Sequence, residues 1–393
     1  MFDLDTIRRD TPGCLDKVFL DSAGSSLPPE PVLTTMIEHL RREADVGGYV
    51  AAARQSGALA AVPHSLARVI GAQATDIALT DSATRAWNDF FAAVPLGPGD
   101  RILISGVEYA SNAIAALGRA RSTGAGVEII PSDQDGRIDL DALEAMLDDR
   151  VRLVSVVHVP TNGGLINPVR EVVELARAHG SLVLLDACQS VGQLPIDVGE
   201  LGVDALSATG RKWLRGPRGT GFLYVRPGLV DALEPAAMDL HGAEWTGGDS
   251  YVPAPDATRF ELWETSVAAR LGLGVAADYL LSIGTDTAWA QIESRAGALR
   301  QGLAAIPGVE VRDRGTQLSG IVSFTVDGVS EHLVRDQLAA QNITVTVSGR
   351  GSTLLDMDAR GLDAVVRASP HYFVDESDLD TFLGAVRRLQ TSR

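Results

Sequence analysis

The sequence predicts an α/β fold, in which a large, doubly wound, mostly parallel sheet is followed by a smaller α/β C-terminal domain. Three observations predict it. Between about residue 60 and residue 225, short β-rich runs alternate with helical patterns. Several of those runs are apolar throughout, as expected for parallel strands covered on both faces. After residue 226 the alternation loosens, and at 393 residues the chain has room for one large and one smaller domain.

The elements follow in order. The strand-like runs of the large unit are RILIS (101–105), GVEIIPS (126–132), RLVSVVHV (152–159), LVLLDA (182–187), DALSAT (204–209) and GFLYV (221–225). LDALEAMLDD (140–149) and PVREVVELARAHG (168–180) read as helices between them, the second ending in Gly after a His. This βαβ rhythm is that of an open, doubly wound sheet, whose ligands sit at the carboxyl ends of the strands. Beyond it, PAPDA (253–257) reads as a linker and residues 265–284 as a long helix. GIVSFTVDG (320–328), NITVTVS (342–348) and AVVRASPHYF (364–373) read as strands of the smaller domain.

Composition narrows the function. A net charge of −17 argues against non-specific binding to nucleic acid or to an anionic membrane. Two cysteines, Cys14 and Cys188, exclude a disulfide framework and a cysteine-rich metal site, and no metal site is expected. The start MFDLDTIRRD has no apolar signal region, and no run of eighteen apolar residues occurs, so a cytoplasmic protein is expected.

Of 34 lysines and arginines only Lys17 and Lys212 are lysine. Lys212 stands just past the run DALSAT, among arginines at 211, 215, 218 and 226. A chain that writes its surface cations as Arg has kept a primary amine here, and an amine can form an imine where a guanidinium cannot usefully do so. Asp186 closes the apolar run LVLLDA, where a carboxylate is costly unless it meets a cation or several donors; a helix cap or a salt bridge would serve equally. Asp81, Ser82 and Thr84 precede a helical pattern carried by Trp87, Phe90, Phe91 and Val94. Such a helix start suits a phosphate, and ordinary N-capping suits it too. Tyr109 follows RILIS with a flat ring, available for stacking or for the core. Together these are an imine-forming amine, an acid for a pyridinium nitrogen, a phosphate cradle and a ring to stack upon, the parts that pyridoxal 5'-phosphate requires.

At these residues the chain resembles the class V aminotransferase and cysteine desulfurase group of fold-type I pyridoxal-phosphate enzymes, nearly end to end. FLDSAGSS (19–26), SAT (82–84), EYASN (108–112), HVPTNGGLINPV (158–169), DACQS (186–190), TGRKWLRGPRGTGFLYV (209–225), RFELWETS (259–266) and RAS (367–369) carry the resemblance. It implies an N-terminal arm over 1–20, a large cofactor-binding domain over 21–252 and a small domain over 253–393. It implies that Lys212 holds the cofactor and shuttles the proton at Cα, and that Asp186 meets the ring nitrogen. Gln189 would reach the phenolic oxygen, helped by Thr161 or Asn162. Ser82, Ala83, Thr84, Thr209 and Arg211 would hold phosphate, Tyr109 would stack on the ring, and Arg367 would bind the α-carboxylate of an amino-acid substrate. Ser22, in the opening turn, and Tyr49 are further substrate-binding candidates; a loop tyrosine packed on the surface is the other reading of Tyr49. The resemblance also implies a homodimer, in which Thr265 reaches the neighbouring phosphate.

The sequence departs from the desulfurases at one decisive place. They need a mobile catalytic cysteine before the carboxylate-binding arginine, and here that stretch reads TVSGRGSTLLDMDARG (346–361). Tyr109 stands where they usually carry histidine, and a phenol is a weaker acid than an imidazolium. EADVGGYVAAA (43–53), EYASN and GRKWLRGPRGTGFLYVRP are similar to the branch containing hercynylcysteine sulfoxide lyase. The expectation is a carbon–sulfur β-lyase that converts an S-substituted L-cysteine or its sulfoxide to pyruvate, ammonia and a thiol or sulfenic acid. The alternatives are an aminotransferase or isopenicillin-epimerase-like epimerase and, in a different class, a non-catalytic protein that binds the cofactor. Arg215, Arg218 and Arg350 are read either as lining for an anionic sulfur substituent or as solvated.

Overall fold

The computed structural model describes residues 2–391. Seven strands form its main sheet: β1 (Ile77–Thr80), β2 (Arg101–Ser105), β3 (Gly126–Ile130), β4 (Val151–Val157), β5 (Leu182–Asp186), β6 (Ala205–Thr209) and β7 (Gly221–Val225). Their order is β1-β7-β6-β5-β4-β2-β3. The pairings from β6 through to β3 are parallel, and β7 runs antiparallel to both of its neighbours. The sheet is therefore mostly parallel. Strands β6 and β7 are buried along their whole length, β4 and β5 nearly so, because helices cover both faces.

Local chemistry sets the elements around the sheet. Helix α1 (Ala83–Ala93) begins where the Ser82 side chain accepts a hydrogen bond from the Arg85 N–H at 3.2 Å. Trp87, Phe90 and Phe91 then bury one helical face against the sheet. Helix α2 (Ala110–Thr123) starts directly after Tyr109. The helix Val169–Ala178 stops at His179, with Gly180 in the left-handed region at φ 75°.

A second sheet of four antiparallel strands lies in the C-terminal part: β8 (Val309–Val311), β9 (Val322–Val326), β10 (Thr346–Gly349) and β11 (Ala364–Ala368), in the order β8-β9-β11-β10. The run NITVTVS, expected as one strand, divides at Val345. Its first part, Ile343–Thr344, pairs in parallel with Val18–Phe19, and only the rest joins the second sheet. The N-terminal residues are thereby tied to the C-terminal part, and Arg8 adds an ion pair to Asp378 at 2.6 Å. AVVRASPHYF is strand only as far as Ala368; Pro370 lacks an N–H, and His371, Tyr372 and Phe373 turn into the core.

Several elements lie outside the expected runs, among them β1, β8 and the helices Glu30–Val46, Ser56–Ile70 and Thr285–Ala304. The four-residue β1 is too short to show a period. A hairpin, Ala243–Gly247 with Ser250–Pro253, occupies the stretch before PAPDA and ends in its first proline. No single helix among the described residues is long and apolar enough to cross a membrane.

Candidate active site

The carboxyl ends of β1, β2, β4, β5 and β6 open on one cavity. It is lined by Ser82, Ala83, Thr84, Tyr109, Asn112, Val157, Val159, Thr161, Asp186, Cys188, Gln189, Thr209, Arg211 and Lys212. Five connections thus converge, each supplying a different chemical group.

The floor is built by β1 and β7. A Cβ at Gly221 would stand 2.6 Å from the Ser82 carbonyl carbon and 2.7 Å from the Ala83 nitrogen, so only glycine lets β7 lie this close beneath the start of α1. That helix start leaves backbone N–H groups without an intrahelical acceptor, beside the hydroxyls of Ser82 and Thr84. Thr209 and Arg211 join the same wall. The Arg211 guanidinium also donates to the Gly24 carbonyl.

Asp186 is buried at the end of β5 and held by two donors. The Asn112 Nδ2 lies 2.8 Å from its Oδ2, and the Cys188 backbone N–H 2.9 Å from its Oδ1. Gln189 takes the Trp213 indole N–H on its Oε1 at 2.9 Å, joining the DACQS turn to the segment after Lys212. Its Nε2 donates to the Ala23 carbonyl at 3.0 Å and to Thr161 Oγ1 at 3.2 Å. Arg367, on β11, donates to Thr161 Oγ1 at 2.7 Å and to Asp21 Oδ1 at 3.3 Å, while its Nε is buried without a partner.

Burial lowers the Lys212 pKa to about 8, opposed by Cys188 and Asp186 and reinforced by Arg211 and Arg367. An amine so placed is far more often neutral at pH 7 to 8 than a surface lysine. Cys188 also lines this cavity. Burial pushes its thiol well above the usual range, with the Asp186 charge adding to the effect, so the sulfur carries its proton.

Residues 18–382 match the family described as aminotransferase class-V.

The chain belongs to this family.

The probable cysteine desulfurase 2 of Mycobacterium leprae is 32% identical over 410 residues, covering 98% of this chain and 96% of the relative. A probable cysteine desulfurase of Methanothermobacter thermautotrophicus is 29% identical over 373 residues, 93% of each chain. Among solved structures, the chain is similar to a cysteine desulfurase from Escherichia coli with a TM-score of 0.91 and 25% identity, over 100% of this chain and 99% of that one.

As a member of the class-V aminotransferase family the protein is a fold-type I pyridoxal-phosphate enzyme, and its cavity fits that cofactor on its own chemistry. An amine whose pKa is lowered to about 8, a buried carboxylate and a helix start with N–H groups outside its own ladder line one cavity. No group of three or more His, Cys, Asp or Glu residues suited to a metal occurs among the described residues.

Five expected site residues, Ser22, Tyr49, Asn162, Thr265 and Arg367, are not among those lining this cavity, although Arg367 reaches it through its bond to Thr161. Ser22 is fully buried and accepts from the Ser26 hydroxyl at 3.1 Å. Tyr49, 81% exposed, and Thr265 line a second cavity with Trp263, His241, Glu261 and Arg270, which shares no lining residue with the first. Asn162 is buried beside Thr161, and it takes the Ser348 hydroxyl on its Oδ1 at 2.5 Å. Of the three arginines, Arg215 is neither pocket lining nor solvated. It is 1% exposed, lies 4.8 Å from the Phe373 ring centroid and donates to the Leu27 carbonyl at 2.9 Å. Arg350 pairs with Asp358. Asn112 and Glu108 were not singled out from the sequence; the only signal was their place in EYASN, where the tyrosine drew the attention.

Proposed function

We propose that the protein is a carbon–sulfur β-lyase acting on an S-substituted L-cysteine or its sulfoxide, related to the hercynylcysteine sulfoxide lyase branch. Its relatives are named cysteine desulfurases, which directs the reading to cysteine-derived substrates. One observation turns it from sulfur transfer to elimination. The stretch 346–361 runs through β10, a turn and the helix Leu354–Ala359, and it contains no cysteine. Cys14 is buried in the N-terminal region, and Cys188 sits on the turn fixed by Asp186. Neither can swing sulfur out of the site.

Bound pyridoxal phosphate supplies an electron sink for charge that develops at the substrate Cα. The chain supplies the rest. Arg367 pairs with the α-carboxylate, and its buried, unpartnered Nε favours an anionic ligand. Lys212 Nζ takes the Cα proton, a role suited by its pKa of about 8. Asp186 would face the ring nitrogen, Tyr109 would stack on the ring, and Gln189 with Thr161 or Asn162 would meet the phenolic oxygen. Ser82, Ala83, Thr84, Thr209 and Arg211 hold the phosphate. The Cβ–S bond then breaks with its electron pair going to sulfur, which takes up the proton held on Lys212 Nζ and leaves as thiol or sulfenic acid. Water converts the remaining three-carbon fragment to pyruvate and ammonia.

The same reading includes a homodimer, with Thr265 and Tyr49 of one protomer serving the site of the other. It is supported by their separation from Lys212 within one chain and by the exposed aromatics Tyr49, Trp263 and Trp245. A sedimenting monomer that carries cofactor and turns over would refute this part. The test of the whole is pyruvate release by cofactor-loaded protein across a panel of S-substituted cysteines and their sulfoxides. Pyruvate from any member establishes elimination. Conversion of the cofactor to its amine form without pyruvate moves the assignment to transamination, and Cα–deuterium exchange without either moves it to epimerisation.

A further inference from the structure

Behind the cavity lies a second carboxylate that the reaction outlined above does not use. Glu108, between β2 and α2, is buried, as is Asn112 one helical turn later. The Asn112 Nδ2 stands 2.9 Å from Glu108 Oε1 and 2.8 Å from Asp186 Oδ2, so one amide group bridges two carboxylates. Ser155 on β4 donates to the other oxygen, Glu108 Oε2, at 2.9 Å, and the Tyr109 backbone N–H donates to Oε1 at 3.0 Å. Three donors therefore fix Glu108 from α2, from β4 and from its own turn. Asp186, on β5, is the charged group that faces it.

We propose that Glu108 is a positioning residue whose charge, carried through Asn112 to Asp186, sets the protonation of the cofactor ring nitrogen. The inference rests on the reading that Asp186 meets that nitrogen. Three features support it. An apolar residue or a glutamine would fill the space without placing a second negative charge behind Asp186. The bridge orients Asp186, because an amide holding both carboxylates leaves Asp186 little freedom to turn. Glu108 can also change its charge in the working range, since burial, with the Asp186 charge adding to it, raises its pKa to about 7. An ionised Glu108 favours a protonated ring nitrogen and so a stronger electron sink; a neutral Glu108 weakens it.

The test reads the cofactor directly, not turnover. Holoenzyme loaded with pyridoxal phosphate labelled with 15N in the ring is titrated by NMR. In the wild type the ring resonance should show an inflection at or below about pH 7 as Glu108 ionises. In Glu108→Gln, which keeps the size and the acceptor for Asn112 and Tyr109 while the Ser155 hydroxyl turns to accept from the new amide, the charge is gone and that inflection should vanish. The ring nitrogen should also lose its proton about one pH unit earlier, a tenfold change. The same inflection in Glu108→Gln overturns the proposal. A flat wild-type titration overturns it as well, and that measurement needs no variant to fold. Asp186→Asn separates the two readings. If its ring resonance equals that of the wild type, the assignment of Asp186 is at fault. If it moves while Glu108→Gln leaves the inflection in place, only the role of Glu108 is.

Discussion

Gly221 lies directly beneath Ser82. These two residues, from the antiparallel inner strand β7 of the main sheet and from the cap of α1, approach so closely that a single added methyl group would meet the Ser82 carbonyl carbon at 2.6 Å. The helix start that lines the cavity is therefore seated on a bare backbone, and its distance from the sheet is set by the absence of a side chain.

Gly221→Ala should push the start of α1 outward and weaken cofactor binding by about tenfold or more, with a smaller loss of stability. Equilibrium titration of apoprotein with pyridoxal phosphate, followed by absorbance, measures it. Unchanged affinity would mean that the Ser82–Thr84 backbone does not carry the phosphate.

Lys212→Arg should keep a cation in place and abolish turnover, because the guanidinium neither forms the covalent link to the cofactor nor gives up its proton. Borohydride reduction followed by mass spectrometry should find the cofactor attached at residue 212 in the wild type and nowhere in the variant. Substantial activity in the variant would remove the central claim.

Cys188→Ala should retain pyruvate release to within about an order of magnitude. The thiol stays protonated in the cavity, and elimination needs no sulfur acceptor on the protein. Loss of turnover together with a persulfide on Cys188 in the wild type would restore sulfur transfer.

His158, buried behind the cavity, has its pKa lowered by burial from 6.5 to about 4. The unfolded chain takes up a proton there that the folded chain refuses. Stability should therefore fall as pH drops from about 6.5 to about 4, by about 3 kcal/mol from this group, and fall no further from it below that window. Chemical denaturation at several pH values should give a shallower decline for His158→Gln. His371, buried and likewise lowered, is unchanged in the comparison, so parallel declines would exclude His158 as the source.

The main sheet was legible because its strands are long, apolar and separated by helical patterns with recognisable ends. LVLLD and GFLYV are strands at their expected places. Failures came where partners lie far away in sequence. Nothing in NITVTVS indicates that Ile343–Thr344 pairs with Val18–Phe19 while the rest pairs with β11, because backbone pairing leaves no local mark on side chains. Arg215 reads as one more polar surface residue until Phe373 and Tyr372 are brought over it from the other end of the chain.

By itself the sequence determined the class of chemistry. A lone lysine among arginines, an acid closing an apolar strand and a capped helix start are local features, and each carries its chemistry in its residue type. Tertiary structure alone decided how those groups are coupled. It joined Asp186 to Glu108 through Asn112 and lowered the Lys212 pKa by burial. It also left Thr265 and Tyr49 facing a cavity other than that of Lys212. Hydrogen bonds, desolvation and cavity walls depend on distances between residues remote in the chain, and only the packed fold sets those distances.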